Sequence, residues 1–184
     1  MKKIIILLSG AGSTAKYLIE NLPQDIDISL IISDNPEAGG LNVAHDNNIP
    51  ISIISPKDFN DRDEFDDGIV QVVQNEKPDL VVLAGFMLVL GENYTDAIPN
   101  TINVHPSLPG KHLGSVNGIQ DSWNDDSDEG GSIVHMVTSV VDGGKILGST
   151  LVQKRNHTFE TFKKAVMDKE KELLLNVIIQ QLNE

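Results

Sequence analysis

Short apolar runs alternate with amphipathic stretches through the first half of the chain. Residues 3–8, 28–33, 51–54, 80–84 and 101–104 are dominated by aliphatic side chains and read as buried strands. Between them, residues 13–22, 41–47, 62–74 and 92–97 carry apolar positions at helical spacing and read as helices or helical turns. Strand and helix in alternation predict an α/β chain: a mainly parallel central sheet, right-handed crossovers and helices on both faces.

The second half has a different rhythm. A helix is expected at 116–123, then an acidic, glycine-rich loop, then two alternating strands at 132–139 and 146–154. These strands are joined through Asp142-Gly143-Gly144 and are expected to form an antiparallel pair. A helix over 158–182 closes the chain, with Phe159, Phe162, Ala165 and Val166 along one side. No repeat, linker or low-complexity tract interrupts the 184 residues, which are expected to form a single domain, 1–184.

Composition narrows the functional classes. The absence of cysteine removes disulfides, zinc–thiolate sites and a thiol nucleophile together. Met1-Lys2-Lys3 followed by apolar residues resembles the start of a signal peptide. The run is too short and enters a glycine turn at once, so a buried strand is expected, no membrane association, and a cytoplasmic protein. The net charge of −13 argues against nucleic acid as a partner. It also requires that any anionic substrate be gripped locally, for which backbone amides at a helix start are suited. The acidic clusters at 58–67 and 125–129 read as solvated segments.

Three signals carry chemistry. The first, Gly10-Ala-Gly12-Ser13-Thr14-Ala15, follows a strand and opens a helix. Glycines permit a sharp turn and close backbone approach, and the free amides point at an anion. Ser13 and Thr14 are placed to cap the helix and to donate to phosphate oxygens. Read alone, the pattern is a dinucleotide fingerprint with Asp34 at the ribose position, or a plain tight turn.

In the second signal, Asn103 and His105 stand two apart at a strand end and share one face; Pro106 stops the strand. An amide that donates to a developing oxyanion, beside an imidazole that donates a hydrogen bond or a proton, suits acyl transfer. The third signal is Asp142, in a turn that by itself reads as a hairpin connection. Near His105, its carboxylate is expected to raise the imidazole pKa and to take a proton from an attacking amine. His135 reads as a packed or hydrogen-bonded strand histidine. His45, His112 and His157 show no recognisable partners, and no ligand spacing suggests a metal.

Together these signals resemble the phosphoribosylglycinamide formyltransferase family. The likeness runs from Lys3 to the final helix through Leu8-Ser-Gly-Ala-Gly-Ser13, Pro78-Asp-Leu-Val-Val-Leu-Ala-Gly-Phe-Met87, Ile102-Asn-Val-His-Pro106, His135 and Val141-Asp-Gly-Gly144. The combination of Asn-x-His-Pro with Asp-Gly-Gly is the specific part. The resemblance implies a single-domain, Rossmann-like formyltransferase fold. It also implies transfer of a formyl group from the co-substrate 10-formyltetrahydrofolate to the amine of glycinamide ribonucleotide, in purine biosynthesis. No metal is implied, and the protein is expected as a monomer or homodimer.

By the same resemblance, Asn103, His105 and Asp142 match the catalytic trio. Gly12, Ser13 and Thr14 match the loop on the substrate's ribose phosphate; Gly85, Met87 and Pro106, with Arg62 and Glu170, fall at further substrate positions. Leu83, Leu88, Val89, Leu90, Val137, Thr138, Ser139, Val140 and Val141 match the folate pocket, although Leu83 to Leu90 also read as plain strand core. The chain departs from the family pattern at Thr14, where Asn is usual, at Leu88, often Arg, at Leu108-Pro109-Gly110, and at Ile133, Lys145 and Ser149. Alternative readings are a folate enzyme acting on another amine, such as an amino sugar, and a nucleotide-binding Rossmann module. Relatives acting on methionyl-tRNA or water normally carry additional domains.

Overall fold

The computed structural model describes residues 1–184 and holds seven strands and six helices in two compact units, Met1–Ile102 and Asn103–Glu184. In the first unit, β1 (Lys2–Leu8) pairs in parallel with β2 (Ile26–Ser33) on one side and β4 (Leu80–Leu83) on the other. The short β3 (Ile51–Ile53) extends β2, giving the order β3-β2-β1-β4. Residues Ile4 to Leu8 are wholly buried. A strand buried on both faces of the sheet is apolar throughout, and each such side chain contributes roughly 1.5–3 kcal/mol.

Four helices connect these strands: α1 (Ser13–Asn21), α2 (Gly39–Asp46), α3 (Arg62–Glu76) and α4 (Glu92–Ala97). A single 3₁₀ turn at Pro56–Asp58 precedes α3. The expected capping of α1 by Ser13 and Thr14 is not realised. Gly12 is the cap residue, at φ 77°, and no side chain bonds the helix start, so neither hydroxyl is spent on capping. α2 begins two residues before its expected start, with glycine in its first turn. A Cβ on Gly40 would press on both Leu8 methyl carbons, so close packing against β1 has outweighed the low helix propensity of glycine.

The acidic stretch at 58–67 is not uniformly solvated, as Asp61 caps α3 by accepting from Glu64 N–H and Asp66 is fully buried. Period and charge do not distinguish an acid on the inner face of a helix from one on its outer face when each has a partner.

β5 (Thr101–His105) leads from the first unit into the second. There α5 (Gly118–Asn124) precedes β6 (Glu129–Met136) and β7 (Ile146–Gln153), an antiparallel pair, and α6 (Phe159–Asn183) ends the chain. Trp123 and Phe162 pack in a tilted pair, ring centroids 5.3 Å apart, against a core that includes Val152 and Val166. Thr158 and Thr161 form a reciprocal capping box at the start of α6. No helix is long and apolar enough to cross a membrane.

β6 corrects the expected strand at 132–139. It begins at Glu129, passes through Gly130 and Gly131, and ends at Met136, leaving 137–139 in the following loop. Glycine weakens a strand unless another backbone approaches closely. Here a Cβ on Gly131 would meet the Thr150 carbonyl of β7.

Candidate active site

The three polar residues singled out in the second half converge within the second unit. Asn103 and His105 leave β5 on one face, and Asp142 meets both: its Oδ1 accepts from Asn103 Nδ2 at 3.4 Å, and its Oδ2 lies 3.5 Å from His105 Nδ1. All but a few per cent of the His105 and Asp142 side chains is removed from solvent. Asp142 adopts a left-handed backbone, φ 50°, which aspartate tolerates better than most residues. The glycine that ends the motif is required sterically, because a Cβ on Gly144 would strike the Met136 carbonyl.

A fourth residue, His135, belongs to the cluster. The β6–β7 ladder slips between Val134 and His135, leaving Leu147 unpaired. Bulges of this kind re-aim side chains beside functional sites. His135 Nε2 lies 3.2 Å from Asn103 Nδ2 and 3.3 Å from Asp142 Oδ1, while Nδ1 faces the Met136 carbonyl at 2.9 Å. Its buried, hydrogen-bonded character was legible in the sequence, but its partners were not. It stands seven residues before Asp142 on the other side of a loop, and no local period connects them.

The loop between Pro106 and Asn117 encloses the other side of the cluster. His105 Nε2 reaches the His112 carbonyl at 3.1 Å, and Gly114 donates its N–H to Asp142 Oδ2 at 2.7 Å. The loop is itself anchored. Asp125 sits 3.0 Å from His112 Nε2, 3.4 Å from Lys111 Nζ and 2.7 Å from Lys154 Nζ. Thus the His112 ring, which showed no partner in the sequence, is held by Asp125, and Asp125 is a hub rather than a solvated acid. Exposed Leu113, Val116, Val140 and Val141 line these loops, so the polar cluster is bordered by apolar surface.

Asp142 acts upward on the His105 pKa as expected, but the net shift is downward. Burial pushes the His105 pKa below its ordinary value; Asp142 and the His112 carbonyl push it back up, without overcoming the desolvation. The imidazole is therefore harder to protonate than in water. For Asp142 burial acts upward, but the His135 hydrogen bond, the Gly114 amide and the neighbouring imidazoles outweigh it and hold the carboxyl below the usual range. Glu170, on α6, is pushed up to about 7 by burial, against the opposing hydrogen bond from Ser132 at 3.1 Å.

The remaining expected positions are distributed as follows. Ser13 is exposed and Thr14 half-buried at the start of α1, with Gly12 behind them. Gly85 and Met87 are fastened to the same loop: Ser9 N–H donates to the Gly85 carbonyl at 3.0 Å, and Met87 N–H to Ser9 Oγ at 2.8 Å. Leu83 and Leu90 are buried, Leu88 is partly so, and Val89 is exposed, so this stretch is part core and part surface. Arg62 lies at the surface, paired with Asp66. Pro106 follows His105 directly and ends β5. Val137, Thr138, Ser139, Val140 and Val141 form the loop before Asp142, with Thr138 Oγ1 donating to the Val140 carbonyl.

Chemically, the cluster offers an amide, an imidazole and a shared carboxylate in a partly dehydrated setting, which is what stabilising a tetrahedral oxyanion and moving a proton require. No group of three histidine or carboxylate side chains has the geometry to hold a metal ion.

A model of the formyl transferase family matches residues 2–178. The chain is 29% identical to phosphoribosylglycinamide formyltransferase of Saccharomyces cerevisiae over 213 residues, covering 100% of both. To the protein of that name from Haemophilus influenzae it is 36% identical over 153 residues, covering 80% of this chain and 71% of the relative. The solved phosphoribosylglycinamide formyltransferase from Campylobacter jejuni aligns with a TM-score of 0.93 at 32% identity, over 97% of this chain and 96% of that one. With its trio assembled on a mainly parallel α/β frame ending in an antiparallel pair, the chain belongs to the phosphoribosylglycinamide formyltransferase family.

Proposed function

We propose that this chain, as one formyltransferase domain spanning 1–184, transfers the formyl group of 10-formyltetrahydrofolate to the primary amine of glycinamide ribonucleotide in purine biosynthesis. The observation that carries the reading is the meeting of Asn103, His105 and Asp142 within hydrogen-bonding or ion-pair range in a family whose model spans nearly the whole chain.

In this mechanism the substrate amine attacks the formyl carbon, forming a carbon–nitrogen bond and a tetrahedral oxyanion. Asn103 Nδ2–H and His105 Nε2–H turn from their internal acceptors to that oxygen. Loss of the bond to the folate nitrogen completes transfer, and the amine's proton passes to the leaving nitrogen through Asp142, directly or by water. Asp142 is suited to this because the Gly114 amide holds it in place and it is ionised at neutral pH.

Gly12, Ser13 and Thr14 hold the ribose phosphate, using helix-start amides and two hydroxyls that are not spent on capping. Gly85, Met87, Pro106, Arg62 and Glu170 contact the same substrate. Leu83, Leu88 to Leu90 and Val137 to Val141 receive the folate. The enzyme works in the cytoplasm as a monomer or homodimer, on small molecules.

The test is a formyl-transfer assay on the parent, His105→Ala and Asp142→Ala. Turnover in the parent and its collapse in both variants are expected. A folded parent that binds folate but does not formylate glycinamide ribonucleotide would assign the site to another amine. One that binds no folate would overturn the reading.

A further inference from the structure

Asp66 is a fully buried carboxylate that the proposed chemistry does not use, placed on the inner face of α3. Both its oxygens are occupied. Oδ2 accepts the Gly91 N–H at 2.6 Å, and Oδ1 accepts Arg62 Nε–H at 3.2 Å from one helical turn earlier. Gly91 is fitted to this contact, since a Cβ there would stand 2.7 Å from Asp66 Oδ2. Burying a carboxylate is costly, and an apolar pair of similar shape commonly stabilises a fold as well or better. What the carboxylate adds is a directional grip on one point of the backbone.

That point ends a strap fastened at both ends. At its start, Gly85 and Met87 are bonded to Ser9; at its finish, Gly91 is bonded to Asp66. Between the fastenings, the backbone N–H and C=O groups of Leu88, Val89 and Leu90 make no hydrogen bond within the first unit. Main-chain donors and acceptors not spent within their own unit suit the edge of a flat heterocycle, provided that the segment is held at a fixed height and angle.

We propose that Asp66 is a positioning residue for the formyl donor, setting the 88–90 strap through the Gly91 amide while orienting Arg62 from its other oxygen. The inference rests on the reading of Leu88 to Leu90 as part of the folate pocket. Asp66 touches neither substrate. Its loss therefore acts chiefly on donor binding, reaches the other substrate only through Arg62, and leaves the trio in the second unit intact.

The experiment compares the parent with Asp66→Ala, Asp66→Asn and Gly91→Ala, each assayed well below its own Tm. Asp66→Ala is expected to raise KM for 10-formyltetrahydrofolate about tenfold or more with kcat within about twofold, and, because Arg62 loses its acceptor, to raise KM for glycinamide ribonucleotide by a smaller factor. Gly91→Ala, which forces the same contact apart from its other side while leaving Arg62 its acceptor, should reproduce the donor effect with KM for glycinamide ribonucleotide within about twofold. Asp66→Asn should recover most of the affinity, because its amide oxygen still accepts from Gly91. Calorimetry with 5-formyltetrahydrofolate gives the binding term without turnover, and Asp66→Asn with Gly91→Ala supplies the comparison if Asp66→Ala does not fold. Equal donor affinity in parent and variants, or a uniform loss of all parameters in proportion to folded protein, overturns the inference while leaving the proposed activity standing. A parent that binds no folate removes the underlying reading, and this inference with it.

Discussion

Gly114 donates its backbone N–H to Asp142 Oδ2 at 2.7 Å, joining the loop after His105 to the loop that carries the carboxylate. The bond fixes the oxygen that faces His105 Nδ1, while Oδ1 faces Asn103 and His135. A single carboxylate thus organises two imidazoles and an amide, and the proposed chemistry calls on its charge as well as its shape.

Replacing Asp142 with Asn retains the shape and removes the charge. Formyl transfer is expected to fall about 10²–10⁴-fold in single-turnover assays, with substrate affinity little changed. The His105 imidazole, already below its ordinary pKa through burial, loses the neighbouring charge that partly offsets it. Its pKa in the variant should therefore drop further, as read by NMR titration of the ring. An unchanged His105 titration would show that the two groups are not coupled.

Glu170 gives the folded protein a pH dependence of known sign. Its pKa is raised from the unfolded value of 4.5 to about 7, so the folded state favours the protonated acid. The associated stability is fully present below pH 4.5 and is lost as pH rises through about 7. Glu170→Gln, permanently neutral, should lose less stability than the parent between pH 5 and pH 8, by about 1–3 kcal/mol. Urea unfolding at the two pH values measures the difference. Equal pH dependence in both proteins would refute the assignment.

Asp125 fastens the loop behind His105, through His112 and two lysines. Despite the opposing effect of burial, hydrogen bonds from Lys154, His112 and the Ser127 amide hold its carboxyl well below the usual range. Asp125→Ala should loosen the loop, giving faster amide exchange at 111–115 and a roughly tenfold lower kcat, since His105 loses a fixed second acceptor. Unaltered exchange at Gly114 would count against this account.

Gly12 combines two demands that alanine cannot meet: a backbone at φ 77° and contact with the Gly40 backbone. Gly12→Ala is predicted to destabilise the protein by about 1–3 kcal/mol, from strain and overpacking. Thermal unfolding tests this, and a Tm within a degree of the parent would show that the α1–α2 contact yields easily.

Elements with strong local patterns were legible in the sequence. The aliphatic runs of β1, β2 and β4 imply strands buried on both faces. The two-residue spacing of Asn103 and His105, stopped by Pro106, places an amide and an imidazole on one face of a strand end. Those outcomes depend on residue period and on proline's fixed geometry, both local. The start of β6 and the first turn of α2 were not legible, because glycine propensity gave way to close approaches made by distant residues. Nor was the fate of the acids. Asp66 and Asp125 look like their solvated neighbours until folding brings Gly91 to one and two lysines with a histidine to the other.

The His105 pKa shows the same division. Sequence alone supplied a nearby acid and hence an upward expectation; tertiary burial reversed it, because desolvation depends on everything that surrounds the ring. By itself, then, the sequence determined which chemical groups are present and how each sits on its own strand or turn. Only the tertiary structure decided which of them meet, which lose their water, and which, like His135, join the site from outside the expected trio, since contacts between distant segments arise from packing and leave no local period.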